Sequence, residues 1–121
     1  MSLQLYTAKM GWRGPGALPV TRYIVNDALG VRFAPSKSLL DKYLRIRKAG
    51  LETDETWAEY ELAYTKEMRA LYKLDQGPFC TLLAYPEATL LCFCENPERC
   101  HRTVLARLLV KLGATYHGER S

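Results

Sequence analysis

Thr89-Leu90-Leu91-Cys92-Phe93-Cys94 is an unbroken apolar run, and Glu95-Asn96-Pro97-Glu98-Arg99-Cys100-His101-Arg102 follows it directly. A run of this length in β-favouring residues, with no polar alternation, is the pattern of a strand buried on both faces of a parallel sheet. Glu95 ends the run. Asn96 is a good helix N-cap and Pro97 suits the first helical position, so the spacing predicts a helix beginning at once. Leu105, Leu108, Leu109 and Leu112 give that helix a buried stripe up to Gly113, and Ala114 to His117 reads as a returning strand. Strand, tight turn, helix and strand make a β-α-β unit, whose crossover is expected to be right-handed.

Outward from this unit the chain reads as one α/β domain over residues 1–121. Leu3 to Thr7 alternates as a short first strand does, and Leu18 to Val25 is a weaker strand candidate. Between them Gly11, Gly14, Pro15, Gly16 and Pro19 break any period, giving a flexible basic loop with Lys9, Arg13 and one large aromatic, Trp12. Pro35-Ser36 opens a helix with Leu39, Leu40, Tyr43, Leu44 and Arg47 on one stripe and Gly50 just beyond its end. Thr53 or Asp54 caps a longer helix whose face carries Trp57, Tyr60, Glu61, Tyr64, Met68, Leu71 and Tyr72; at helical spacing such an aromatic stripe is packing. Gln76-Gly77-Pro78 breaks it, and Phe79 to Tyr85 holds one or two helical turns. The expected architecture is a three-layer α/β domain, with a small, mostly parallel sheet flanked by helices.

Composition agrees with one globular domain. The chain has 121 residues, 48% apolar and 25% charged, which is the globular average and excludes disordered, collagen-like and coiled-coil classes. No run of about 18 apolar residues and no apolar leader segment is present, so a soluble cytoplasmic protein that makes no use of membrane is expected. The formal net charge of +4 is unevenly spread. Residues 1–53 hold nine Lys and Arg against three acids, a balance of +6, and the remainder holds eight against ten, or −2. A basic half attracts anions, nucleic acid among them, yet no run of five like charges and no recognition motif accompanies it. Cys92, Cys94 and Cys100 lie within nine residues of one another, and a fourth cysteine is Cys80. Cys92 and Cys94 are too close in sequence for an unstrained bridge, so all four are read as free thiols or ligands.

In open α/β sheets ligands bind beyond the carboxyl ends of strands, beside helix N-termini. Residues 94–102 occupy that place and concentrate two thiols, an imidazole, carboxylates and guanidinium groups. With Leu105 at zero and 100° per residue, His101 falls at about −40°, Arg102 at about +60° and Glu98 at about +20°, all facing the sheet, while Cys100 falls at about −140°, toward the edge. Polar groups so placed go inside only with partners.

Cys94-Glu95 and Pro97-Glu98-Arg99-Cys100-His101-Arg102, followed by an apolar helix, resemble the signature of the domain-of-unknown-function family 488, in which a Cys-His-Arg triplet opens the helix after an apolar strand. Leu5-Tyr6-Thr7 looks like the family's opening strand, Val20-Thr21-Arg22 like a second strand ending in arginine, Leu29 to Leu44 with Ala34-Pro35-Ser36 like its first-helix entry, and Trp57 to Tyr60 with Tyr64 like its long middle helix. Many relatives have one cysteine in the apolar strand; this chain has two, and its loop over residues 8–19 is rich in glycine. The resemblance implies a compact α/β domain with a polar site around the triplet.

The expected site binds a small anionic molecule such as a phosphate compound and serves a thiol-dependent enzyme. Cys100 is its nucleophile, His101 its acid or base, Glu95 the group orienting the imidazole, and Arg22, Arg102 and Thr7 the anion-binding set. The pattern names no cofactor. Cys94, Cys100 and His101, completed by Cys92 or Glu95, carry metal-ligand atoms, but their spacing is not that of a zinc finger or ribbon and no metal ligand is assigned. Two alternatives stand beside this reading: a nucleic-acid module using the basic half with Trp12, and a non-catalytic domain in which Glu95, Glu98, His101 and Arg102 form a buried polar network. Aromatic surface on the middle helix is suited to a homodimer.

Overall fold

The structure is a computed structural model that describes residues 2–23 and 27–121. Its strands are β1 (Gln4–Lys9), β2 (Ala17–Pro19), β3 (Glu87–Cys92) and β4 (Thr115–Arg120), and its α-helices are α1 (Lys37–Lys48), α2 (Asp54–Leu74), α3 (Gly77–Leu83) and α4 (His101–Lys111). Among the described residues the strands form one parallel sheet in the order β2-β3-β1-β4. The decisive apolar run is thus interior: β3 pairs with β1 along Gln4↔Glu87 to Lys9↔Cys92 and with β2 along Ala17↔Thr89 to Pro19↔Leu91. Residues 88–92 are all buried, as a strand covered on both faces requires. No helix among the described residues is long and apolar enough to cross a membrane.

Local chemistry sets the helix limits. Ser36 Oγ accepts from Leu39 N at 3.3 Å to start α1, and Gly50, at φ +73°, ends it in the left-handed conformation that a side chain disfavours. Thr53 and Thr56 cap α2 reciprocally, each side chain accepting the other's backbone N–H. Tyr60, Tyr64 and Met68 face inward from α2, and α4 adds Val104, Leu105, Ala106 and Leu109. These meet Leu5, Leu18, Val20, Ala88 and Leu90 from one face of the sheet, forming a single core. The aromatic stripe of α2 is therefore packing.

The opposite face is covered differently. Ala8 and Leu91 are buried there. The Arg120 guanidinium lies 3.3 Å from the centre of the Tyr6 ring and 4.9 Å from that of Trp12, and donates to Thr89 Oγ1 at 3.2 Å. The loop expected to be flexible is thus folded down: Gly14 lies against the Trp12 ring, and Gly16, at φ +75°, passes so close to Glu87 that a Cβ would stand 2.5 Å from its carbonyl oxygen.

Some expectations shift. The second strand is Ala17–Pro19 and not Leu18–Val25: Val20 N makes the last bond to β3, donating to Leu91 O at 3.0 Å, and Pro19 is tolerated because the strand is at the edge; Ile24 and Val25 lie outside the described residues. The helix expected from Pro97 begins at His101. Asn96 caps only a 3₁₀ turn over Pro97–Arg99, and Cys100 is extended at φ −142°, ψ 142°. The helical phase is lost before residue 101, so Glu98 is exposed and Cys100 is buried, the reverse of the wheel. From His101 onward the wheel holds. Because Leu105 is fully buried between sheet and helices, Leu105→Ala is expected to cost about 2–5 kcal/mol, read as a lower urea midpoint at unchanged m value.

Candidate functional site

The carboxyl end of β3 gathers the chemistry. Cys92 closes the strand, the chain bends at Phe93, and the Cys94 sulfur comes within 3.7 Å of that of Cys92. The extended backbone of Cys100 turns its side chain back to the same point, and the three Sγ atoms lie within 4.8 Å of one another. All are free thiols; Cys92 and Cys100 are buried and Cys94 is half-buried.

His101, at the first position of α4, joins them. Its Nε2 stands 2.6 Å from Val20 O and its Nδ1 stands 3.7 Å from Cys92 Sγ. A carbonyl oxygen only accepts, so Nε2 carries the proton and donates, and in the neutral ring Nδ1 faces the sulfurs as an acceptor. The Tyr64 ring packs edge-on against the imidazole, 5.4 Å between centres, and its hydroxyl donates to Phe33 O. The imidazole is locked on three sides.

Two guanidinium groups complete the surroundings. Arg102 is fully buried: Nη1 donates to Cys94 O at 3.0 Å and reaches Cys100 Sγ at 3.3 Å, while Nε and Nη2 donate to the carboxylate of Glu119 on β4 at 3.2 and 2.6 Å. Arg47, from α1, places Nη1 3.7 Å from Cys94 Sγ and is held by Glu52 and by Arg99 O. Hydrogen bonds from Cys100 and Cys94 hold the Cys92 thiol below its ordinary value despite its burial, and His101 adds to the effect. Burial pushes Cys100 up, aided by the hydrogen bonds it gives to Cys92 and Cys94. For Cys94 the hydrogen bond from Cys100 is outweighed by the hydrogen bond to Cys92 and by burial, and its thiol is pushed up.

Beside the cluster is a pocket of about 200 Å³ lined by Arg22, Tyr23, Leu40, Cys92, Cys94 and His101, among others. Arg22 is held at its wall by an Nε donation to Pro35 O at 2.9 Å. Its Nη groups make no hydrogen bond among the described residues.

The residues expected from the sequence thus separate. Arg22 and His101 line the pocket, with Cys100 directly behind. Arg102 and Thr7 are fully buried, and Thr7 Oγ1 hydrogen-bonds Tyr116 OH at 2.6 Å, so both belong to a network behind the cluster. Glu95 does not orient the imidazole: its carboxylate pairs with Lys9, its side chain is 83% exposed, and Val20 O takes that role. Glu98 is exposed and outside the network. Arg47 and Glu119 are site groups that the sequence reading leaves out, and Cys92 is named there only as a possible metal ligand. The signal for Arg47 was in plain view, since a guanidinium on the apolar stripe of α1 needs a buried partner.

The family model DUF488-N3a, described as the active DUF488-N3 subclade, matches residues 20–113, well over half of the chain. The chain belongs to the DUF488 family. The matched stretch of this DUF488 domain holds Arg22, Arg47, all three clustered cysteines, His101 and Arg102, and leaves out β1 and β4, which supply Thr7 and Glu119. No curated protein and no solved structure matches it.

Partial burial alone pushes the Glu119 carboxyl up, but the hydrogen bonds from Arg102 and Thr7 and the guanidinium charge outweigh it and hold the carboxyl below its ordinary value. A lowered folded value gives stability that is complete above the unfolded value of about 4.3 and is lost as pH falls through the folded one. Glu119→Gln is expected to cost about 1–3 kcal/mol at neutral pH. It should also flatten the loss of stability from about pH 6 to about pH 3 in urea midpoints measured across that range.

Proposed function

We propose that this domain binds a small anionic molecule at the carboxyl end of β3 and presents a thiol to it. The observation that carries this reading is the placement of Arg22: it lines a pocket shared with Cys94 and His101, its Nε is held by Pro35 O, and its Nη groups make no hydrogen bond among the described residues. A planar pair of N–H donors suits a phosphate or carboxylate. The rest of the lining, Leu40, Leu44, Phe93 and Pro35 included, is apolar, which suits a compact organic anion.

Cys94 is the thiol that meets such a ligand, because it is half-buried and lines the pocket, whereas Cys100 is 1% exposed. Arg102 acts through others: it fixes the Cys94 carbonyl and Cys100 without touching the ligand. The supported chemistry is attack by the Cys94 sulfur on an electrophilic carbon or phosphorus of the bound anion: the bond to sulfur forms as the bond to a leaving oxygen breaks, and the thiol proton passes through water to that oxygen. The nucleic-acid reading gains nothing from Trp12, whose ring is taken up by Gly14 and Arg120.

Inorganic phosphate titrated into the protein is expected to bind, and Arg22→Gln to weaken it tenfold or more, as a lost bidentate contact does. Lys9→Gln, on the loop side, should leave binding unchanged. Equal phosphate binding by wild type and Arg22→Gln would remove the proposal, and salt-sensitive binding of a single-stranded oligonucleotide tighter than that of phosphate would replace it with the nucleic-acid reading.

A further inference from the structure

We infer that Cys92, Cys94 and Cys100 through Sγ, and His101 through Nδ1, form a four-ligand site for a zinc ion at the edge of the Arg22 pocket. The inference rests on the proposed function for the choice of Cys94 as the thiol facing the ligand, and it supplies the means by which that thiol is ionised.

The first argument is distance. Tetrahedral zinc with Zn–S bonds of about 2.3 Å and Zn–N bonds of about 2.0–2.1 Å sets two sulfurs about 3.8 Å apart and a sulfur and a nitrogen about 3.6 Å apart. Cys92 and Cys94 sulfurs are separated by 3.7 Å, and so are Cys92 Sγ and His101 Nδ1. The third sulfur, of Cys100, completes a set lying within 4.8 Å.

The second argument is the tautomer. A histidine ligand characteristically gives its other ring N–H to a carbonyl or carboxylate, which fixes the ring and turns the free lone pair to the metal. Val20 O does this for His101, at 2.6 Å from Nε2.

The third argument is charge. Three thiolates, a neutral imidazole and a divalent ion sum to about −1, and a charge that deep must be met. Arg102 Nη1 stands 3.3 Å from Cys100 Sγ and Arg47 Nη1 3.7 Å from Cys94 Sγ. Each guanidinium is anchored by a carboxylate, Glu119 for Arg102 and Glu52 for Arg47, and turns a further N–H to a sulfur, where a thiolate is a far better acceptor than a neutral thiol. A sulfur-rich set selects zinc or another soft metal over magnesium or calcium.

On binding, each S–H that is still protonated releases its proton to solvent and the sulfur lone pair forms the bond to zinc. Cys94 is thereby a thiolate at neutral pH without help from a general base.

The test uses the whole chain, purified without chelator and dialysed. About one equivalent of zinc per chain by elemental analysis is expected, and cobalt added to the metal-free protein should give thiolate-to-cobalt charge-transfer bands and the strong visible bands of a tetrahedral site. Cys94→Ser should lose at least tenfold in zinc affinity, while Arg22→Gln keeps its zinc and loses only phosphate. Less than about a tenth of an equivalent of zinc, together with no charge-transfer band from cobalt on a metal-free chain of native circular dichroism, overturns the inference. In that event, phosphate binding lost in Arg22→Gln would leave the anion reading standing; zinc bound without phosphate binding would instead sink the anion reading alone.

Discussion

A guanidinium cannot shed its charge, so one removed from solvent must be met on every side by the chain around it. Arg102 is such a group. Its donors reach Glu119 on β4, the Cys94 carbonyl beyond β3, and Cys100 at the start of α4. One side chain thereby joins the three parts of the β-α-β unit at the sheet end where the sulfurs converge. It also accounts for the extended backbone at Cys100: a helical start there would carry the sulfur toward the edge, and the buried Nη1 would lose a partner. The apolar packing of Leu105 and Leu109 supplies most of the burial, while this polar junction sets the register.

The charge asymmetry of the sequence takes on a different sense in this fold. Lys9 and Arg32, from the basic half, pair with Glu95 and Asp75 of the acidic half, and Arg47 turns inward to Glu52 and Cys94. Two of the nine cations of the basic half are thus met by the acidic half and a third is turned into the interior, while the net charge of +4 remains. Arg22 stands apart: its Nε is anchored to the backbone at Pro35, with the pocket beside it.

Much of the architecture was legible because it is local. The apolar run Thr89–Cys94, whose strand stops at Cys92, the stripe of α4, the Ser36 and Thr53 caps and the break at Gly77-Pro78 are decided within a few residues, and each element is found close to where its pattern puts it. The site was legible only in part. His101 and Arg22 could be named from their positions at element ends. The convergence of Cys100 with Cys92 and Cys94 depends on a 3₁₀ turn, and Asn96-Pro97 announces a 3₁₀ start and an α start in the same way. The partners of Arg102 and Arg47 come from β4 and from the β3–α4 turn, distances along the chain that no periodicity spans. The stacking of Arg120 on Tyr6 and Trp12, which covers the second face of the sheet, is non-local for the same reason.

The strand order has a consequence for a chain that leaves the ribosome N-terminus first. β1 is made early, but both of its neighbours are made late: Gln4 pairs with Glu87 on one side and with Thr115 on the other. For most of synthesis this strand has two open edges and nothing to fill them, the condition in which strands pair with the wrong chain. The Arg102 charge likewise waits until Glu119 has emerged. The sheet can close around β1 only once Thr115–Arg120 is available to pair with it.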